Sequence, residues 1–279
     1  MSARWPELVL PRSLLYVPGN RSDLVAKGSF SAADAVVVDL EDSVPSPDKA
    51  QAREVVRQWL AEPSVGPQRW VRINSGVLDE DLAVLEPHLP DGVLVAGCRA
   101  AGLDRLESWW TRESRPDRPV VGLVEDAAGL REIDAMAQAP HLATVGIGEV
   151  DLLAHLRVSR SAGAAIDALR LQVVVDAAAA GLLAPVAPTS TDFRDLDAFR
   201  TTTRALLDLG FRSRTAIHPA QVPVINEVLT PGDDEVAAAR DVLARFERAG
   251  EGVTTDRNGH LIDLAVVRGA RETLARAGA

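Results

Sequence analysis

Acidic side chains and one arginine directly follow short apolar segments of this sequence. The acids are Asp39, Glu41 and Asp42, then Glu125 and Asp126, then Glu149 and Asp151, and the arginine is Arg72. If the apolar segments are parallel strands of a barrel, their carboxyl ends meet on one face, where active sites are built. Carboxylates brought together repel each other unless a cation lies among them, and hard oxygen ligands suit Mg²⁺. The pattern therefore predicts a magnesium site beside an arginine.

Other interpretations of single residues stay open at this point. An acid after a strand is more often a helix N-cap or a solvated loop residue, and Glu41 and Asp42 stand just before Pro45. His218 is either a general base or an orienting hydrogen-bond partner. Cys98 has no evident activating neighbour, which favours a buried apolar role over that of a nucleophile. No cluster of Cys and His has zinc spacing, so magnesium is the better choice.

Eight short apolar segments would supply the strands. They lie at 14–17, 35–40, 70–73, 92–95, 120–124, 144–147, 184–187 and 215–217. They lack clean alternation, as expected of strands that are buried on both faces. Helix-length segments separate them, among them 48–60, 169–180, 195–209 and 233–249. This alternation predicts an α/β fold and matches a (β/α)₈ TIM barrel, although the pattern also allows a doubly wound sheet.

The end of the chain has a different character. Residues 249–260 are polar and contain glycine, which is typical of a linker, and residues 261–277 are expected to form a terminal helical arm. We therefore expect a catalytic barrel over 1–248, followed by a linker and C-terminal arm over 249–279.

Composition narrows the class of protein. The 279 residues are 47% hydrophobic and 25% charged, as in an ordinary globular protein, and the net charge of −10 argues against nucleic acid as a partner. The single cysteine, Cys98, allows no intrachain disulfide, and residues 1–10 lack an apolar run of signal-peptide length. The longest apolar stretch, 173–187, is too short for a membrane span. These features predict a cytoplasmic protein without a membrane partner.

Several segments, in their order along the chain, resemble the citrate lyase beta-subunit-like proteins of the HpcH/HpaI aldolase superfamily. The segments are RSLLYVPGNR at 12–21, DLEDSV at 39–44, VRIN at 71–74, EDAAG at 125–129, GIGEVDL at 146–152, AIHPAQ at 216–221 and GHLID at 259–263. Each is weak alone, but together they span nearly the whole chain and are highly specific. The resemblance implies a (β/α)₈ barrel with a C-terminal arm.

The resemblance also implies roles for the residues at the strand ends. It implies that Glu125 and Asp151 hold Mg²⁺ and that Arg72 contacts the substrate's carboxylate or the developing enolate oxygen. Glu41 or Asp42 would orient Arg72 or a catalytic water.

Three further residues enter through the same resemblance. Arg21 and Gly148 would bind substrate together with Arg72 and Glu125. Asp263 would reach over the mouth of an adjacent subunit and take part in acid–base chemistry, unless it only caps the last helix.

The implied activity is carbon–carbon bond cleavage or formation. Relatives act on 3-hydroxyacyl-CoA thioesters of the citryl, malyl or citramalyl kind, release an oxo-acid and an acyl-CoA, and often assemble as trimers or hexamers; a homotrimer is expected here. Two alternatives remain: an aldolase that acts on free oxo-acids, and a weakly active subunit that binds a metabolite.

The sequence departs from the family's pattern at two places. Relatives commonly carry Pro-Lys after the fourth strand, where this chain has Ala96, Gly97 and Cys98. The usual Glu-Thr after the fifth strand is Glu125-Asp126 here, which is expected to put an extra acid beside the metal.

Overall fold

Eight parallel strands close into a barrel in this computed structural model, which describes Trp5 and residues 8–63, 66–112, 117–250 and 252–278. The strands are β1 (Ser13–Pro18), β2 (Ala35–Asp39), β3 (Gln68–Asn74), β4 (Gly92–Ala96), β5 (Val120–Val124), β6 (Leu142–Ile147), β7 (Val186–Ala187) and β8 (Ser213–Ala216). Each strand pairs with the next, and β8 pairs with β1, so the sheet has no edge. The predicted (β/α)₈ TIM barrel is confirmed, and the alternative prediction of a doubly wound sheet was wrong.

Helices follow the strands. They are α1 (Ser22–Gly28), α2 (Lys49–Ala61), α3 (Leu78–Leu82), α4 (Ala100–Thr111), α5 (Ala127–Arg131), α6 (Ile133–Met136), α7 (Glu149–Leu156), α8 (Gly163–Ala179), α9 (Leu196–Leu209), α10 (Gln221–Leu229), α11 (Asp233–Arg248) and α12 (Leu264–Ala277). Among the described residues, no helix is long and apolar enough to cross a membrane.

The strands form because their residues are β-branched and buried on both faces. All five residues of β2 and all five of β5 are buried. Inside the barrel, Leu14, Val37, Trp70 and Leu94 belong to one apolar cluster. This packed layer lies beneath the polar strand ends and fixes their spacing.

Helix termini follow local sequence signals. The Asp195 side chain caps α9 by accepting the Ala198 N–H at 2.9 Å, and Gly210, at a φ of 113°, ends the same helix. Helix α8 begins at Gly163, earlier than the predicted 169, because the Ala-rich segment before Leu169 continues the helix.

The described chain divides into two compact units, one ending at Asn226 and the other beginning at Glu227. In the second unit, Phe246, Ile262 and Val267 form a small core. The boundary expected after residue 248 differs from this division and stays a prediction about where the catalytic region ends.

The predicted linker and arm contain a small antiparallel hairpin, β9 (Thr254–Thr255) and β10 (Leu261–Ile262). The Asp256 carboxylate accepts the backbone N–H groups of Asn258 and His260, each at 2.8 Å, and Gly259 has a φ of 83°. This turn pairs 261–262 as a strand, so the terminal helix begins at Leu264 rather than at 261.

Candidate active site

The carboxyl ends of the barrel strands surround a cavity of about 400 Å³. One part of its lining is polar: Tyr16, Asp39, Asp42, Ser43, Arg72, Glu125, Glu149, Asp151, Thr189 and Thr215. The other part is apolar or backbone: Leu123, Ile147, Gly148, Val150, Val186, Ala187, Pro188 and Ile217. Residues from β1, β2, β3, β5, β6, β7 and β8, or from the segments that follow them, therefore meet at one mouth.

Arg72 is held by two carboxylates. Its Nε and Nη2 donate to the two oxygens of Asp39 at 2.6 and 2.7 Å, and its Nη1 lies 3.1 Å from Oε2 of Glu41. Asp39 is 1% exposed and also accepts the Ser43 hydroxyl at 2.5 Å. These contacts use at most three of the five guanidinium N–H groups, so the rest are available to a ligand in the cavity.

The charges in this cluster stabilise each other. Burial acts to raise the pKa of Asp39, but the hydrogen bonds and charge of Arg72 outweigh it and keep the pKa below its usual value. Burial likewise acts to lower the pKa of Arg72, and Asp39 outweighs that effect. The guanidinium and the Asp39 carboxylate are therefore both ionised.

Tyr16 extends this cluster on the β1 side. The Arg72 guanidinium carbon lies 4.8 Å from the centre of the Tyr16 ring, within the range of a cation–π contact. Burial raises the pKa of the Tyr16 phenol. The phenol is therefore a neutral group at the cavity wall.

Glu125 follows β5 and is tightly enclosed. Its Oε2 accepts the Gly97 N–H at 2.6 Å. A β-carbon at Gly148 would lie 2.4 Å from Cγ of Glu125, so only glycine leaves room for this side chain. Burial raises the pKa of Glu125 to about 7; the Gly97 hydrogen bond and Arg72 oppose this shift, and the charge of Asp151 adds to it.

Asp151 lies in the first turn of α7, directly after β6. Glu149 shares that turn, but Arg170 engages both of its oxygens, at 2.6 and 2.8 Å. Asp151 is thus the acid of this turn that is left to act with Glu125.

The donor set fits Mg²⁺. Glu125 and Asp151 offer hard oxygens at one cavity wall, and Mg²⁺ commonly takes one or two protein carboxylates with water and substrate in the other positions. Burial together with a second acid makes the charge of Glu125 costly, and a cation between the two carboxylates would offset that cost. Among the described residues, no group of three or more His, Cys, Asp and Glu is arranged to hold a metal, so the site rests on these two acids.

The other predicted residues have diverse positions. Asp42 lines the cavity, whereas Glu41 contacts Arg72. Neither acid caps the helical turn that begins at Ser46, because the N-cap of that turn is Pro45. Arg21 is not among the described residues that line the cavity; it pairs with Asp23 at 2.9 Å, and its substrate role stays a prediction. The role of Gly148 in substrate binding also stays a prediction.

Asp263 is the N-cap of α12. It accepts the N–H groups of Ala265 and Val266 at 2.8 and 3.0 Å, which lowers its pKa. Asp263 therefore caps this helix. Its role in acid–base chemistry at the barrel mouth of a neighbouring subunit stays a prediction.

Two other candidates have structural surroundings. Cys98 is fully buried, and burial raises the pKa of its thiol to about 12, which disfavours a thiolate nucleophile. The His218 ring stacks on Phe193 with centroids 4.9 Å apart, and its Nδ1 accepts the Ala220 N–H at 3.1 Å.

The prediction that Asp126 would be an extra acid beside the metal was wrong. Asp126 is the N-cap of α5, accepts the Gly129 N–H at 2.9 Å and forms an ion pair with Arg99. It is not among the described residues that line the cavity. Capping of α5 and the ion pair with Arg99, a residue distant in the chain, together hold this carboxylate at the start of α5.

Asp39 and Tyr16 are cavity residues that the sequence analysis did not assign to the site. Asp39, the last residue of β2, was named only among the acids near the strand ends and was given no role of its own. Its Cα is the register partner of the Arg72 Cα on the adjacent strand. Opposite charges at the ends of neighbouring strands were the available signal, but strand register is needed to use it.

Comparison with known proteins shows the family to which the chain is similar. The model of the HpcH/HpaI aldolase/citrate lyase family matches residues 12–219. A (3S)-malyl-CoA thioesterase of Cereibacter sphaeroides is 32% identical over 279 residues, covering 96% of this chain and 95% of the relative. An L-malyl-CoA/beta-methylmalyl-CoA lyase of the same organism is 31% identical, covering 95% and 94%.

A solved structure is also similar. CitE from Mycobacterium tuberculosis, in complex with magnesium, acetoacetate and coenzyme A, is 29% identical with a TM-score of 0.77, covering 96% of this chain and 98% of that one. The family match and the malyl-CoA lyase relative show that this barrel is an enzyme of the carbon–carbon lyase type. The chain belongs to the HpcH/HpaI aldolase/citrate lyase family.

Proposed function

We propose that this protein is a Mg²⁺-dependent lyase that cleaves, and in reverse forms, the carbon–carbon bond of a 3-hydroxyacyl-CoA thioester. The products of cleavage are an oxo-acid and an acyl-CoA. The observation that carries the proposal is that Arg72, fixed by Asp39, faces the same cavity as Glu125 and Asp151. The malyl-CoA lyase relative and the solved complex with magnesium and coenzyme A support it.

Glu125 and Asp151 would hold the metal. When bound, Mg²⁺ supplies Lewis-acid chemistry at the carbonyl of the oxo-acid. Arg72 offers its remaining N–H groups to the substrate's carboxylate or to the oxygen on which charge develops, and Asp39 keeps them in a fixed orientation. Because that orientation exists before the substrate arrives, little reorganisation is needed during the reaction.

Proton transfer requires a group that changes its protonation near neutral pH. Burial raises the pKa of Glu41 to about 7, against the opposing charge of Arg72. As a carboxylate, Glu41, which contacts Arg72 beside the cavity, would accept the substrate's hydroxyl proton through a water molecule. The bond between the hydroxyl-bearing carbon and the carbon next to the thioester then breaks, its electrons form a thioester enolate, and a proton returns to that carbon.

Charge at the cavity favours one class of substrate. Among the described residues that line it, Arg72 is the single cation, and Asp39 already engages it. The second carboxylate of an oxo-acid product, as in citryl-type cleavage, would have no second cationic side chain among the described lining residues, which include the acid Asp42. We therefore favour malyl- or citramalyl-type thioesters, whose oxo-acid carries one carboxylate.

A second activity, hydrolysis of the thioester itself, is favoured by the similarity to the malyl-CoA thioesterase. The same Glu41 would activate water at the thioester carbonyl, and the products would be free CoA and a hydroxy acid. Product analysis separates the two activities, because only the lyase yields an acyl-CoA together with an oxo-acid.

The test is a turnover screen with Mg²⁺ of malyl-, citramalyl- and citryl-CoA and of the matching free acids. We expect cleavage of the malyl or citramalyl thioester and much slower cleavage of the citryl thioester. Turnover of free acids alone would identify the oxo-acid aldolase instead. Tight binding without any turnover would identify a metabolite-binding subunit.

Assembly and location are part of the same proposal. We expect a homotrimer in which Asp263 of one subunit completes the site of the next, and a cytoplasmic location, where coenzyme A thioesters are available. Gel filtration with light scattering tests the trimer.

A further inference from the structure

The carboxylate of Glu125 is held by the turn that follows β4. Its Oε2 accepts the Gly97 N–H at 2.6 Å, and Gly97 has a φ of 54°, in the left-handed region. On its other side, Glu125 packs against Gly148. One carboxylate oxygen is thus fixed by a backbone donor, so the orientation of the other oxygen depends on where that donor lies.

Arg99 fastens this turn to the segment that carries Glu125. Its Nη1 donates to the Cys98 carbonyl oxygen at 3.0 Å, and its Nη2 forms an ion pair with Asp126, the residue next to Glu125. A β-carbon at Gly129 would lie 2.5 Å from Nη1, so the first turn of α5 is shaped to admit the guanidinium.

These bonds form a closed connection. The turn at 97–99 is joined to the segment 125–126 by two contacts. The Gly97 N–H donates to Glu125, and Arg99 forms an ion pair with Asp126. The pair is 28% and 29% exposed at its side chains, which leaves it accessible but not freely solvated.

We infer that the Arg99–Asp126 ion pair is a positioning device for Glu125, which keeps the Gly97 N–H aimed at Oε2 and leaves Oε1 oriented for the metal. This rests on the proposed role of Glu125 as a Mg²⁺ ligand. Groups that orient metal ligands commonly change metal affinity when removed.

The test measures Mg²⁺ affinity by calorimetry on metal-free protein, which does not depend on turnover. Arg99→Gln and Asp126→Asn remove the charges, and Asn retains the ability to cap α5. Each is expected to weaken Mg²⁺ binding about tenfold, and the double variant should be no worse than either single variant. The matched control is the exposed Arg105–Asp79 pair, whose Arg105→Gln and Asp79→Asn variants should leave Mg²⁺ affinity unchanged.

The outcomes separate this inference from the proposed function. If Glu125→Gln abolishes Mg²⁺ binding while Arg99→Gln and Asp126→Asn both stay within about twofold of the wild type, the positioning role is overturned and the metal site stands. If Glu125→Gln itself binds Mg²⁺ as the wild type does, both are overturned. If the losses in Mg²⁺ binding free energy of the two single variants added up in the double variant, the inference would also be overturned, since Arg99 and Asp126 would then act independently.

Discussion

Arg72 and Asp39 occupy register-matched positions on neighbouring strands and meet through two parallel hydrogen bonds, of 2.6 and 2.7 Å. The pair is nearly enclosed, since the side chains are 14% and 1% exposed. Paired in this way, a buried arginine keeps its charge and a fixed plane, which is what recognition of a carboxylate or an oxyanion requires.

Removing Asp39 should cost both stability and turnover. In Asp39→Asn, the Arg72 charge loses its main partner, and we expect a loss of about 3 kcal/mol in the free energy of unfolding, measured by urea denaturation. Turnover should fall as well, because the guanidinium is no longer held in one plane. The control is Asp34→Asn, which breaks the Arg12–Asp34 pair of 2.7 Å at the opposite ends of β1 and β2 and should leave turnover intact. Wild-type turnover in Asp39→Asn would show that Arg72 does not need Asp39.

Replacing Arg72 by lysine keeps the charge and removes the planar fork. We expect Arg72→Lys to reduce kcat/KM by about 100-fold, the scale of losing one oriented donor to a developing oxyanion. The loss in unfolding free energy should be smaller than the loss in transition-state stabilisation, when both are expressed as free energies. Equal losses would make Arg72 a structural ion-pair residue.

Glu125 should make the metal-free protein less stable at high pH. Its folded pKa of about 7 lies above the ordinary value of 4.5, so the folded state binds a proton that the unfolded state has released. Stability is therefore lost as pH rises from 4.5 to about 7 and stays low above that.

With EDTA present, Glu125→Gln should be more stable than the wild type at pH 8 by about 1–3 kcal/mol, and the difference should vanish near pH 4.5. Urea denaturation across this pH range measures it. A variant that is less stable than the wild type at pH 8 would contradict the assigned surroundings of Glu125.

Much of the fold follows directly from the sequence, and the reasons are physical. Runs such as 36–38 are β-branched and long enough to be buried on both faces, and in the structure each residue of β2 is buried. Asp195 before α9 and Gly210 after it are local signals that need no tertiary context.

The parts that were missed depend on register or on distant partners. That Asp39 faces Arg72 follows only once the two strands are aligned. That Asp126 points away from the cavity follows from Arg99, which lies 27 residues earlier in the chain. The hairpin of 254–255 with 261–262 depends on a turn in which the Asp256 carboxylate accepts the Asn258 N–H.

Subunit mixing tests the predicted role of Asp263. Subunits carrying Asp263→Asn, which keeps a side-chain cap for α12 and removes the charge, would be combined with subunits carrying Arg72→Ala. If sites are shared between subunits, hybrid oligomers recover part of the activity, since some mouths then hold an intact Arg72 and a donated Asp263. Confirmed hybrids without recovery, or an active monomer, would reject the shared site.

Product stoichiometry is the most direct measurement of the central claim. Malyl-CoA or citramalyl-CoA would be incubated with the wild-type protein, and the acyl-CoA and the oxo-acid would be quantified together. The reaction would then be repeated with EDTA and after Mg²⁺ is restored. A last reaction would use the double variant Glu125→Gln, Asp151→Asn. We predict that the two products appear in equal amounts, that EDTA stops their formation, that Mg²⁺ restores it, and that the folded double variant forms neither. Cleavage that continues in EDTA or in the double variant, or release of free CoA without an oxo-acid, would contradict a Mg²⁺-dependent carbon–carbon lyase at this site.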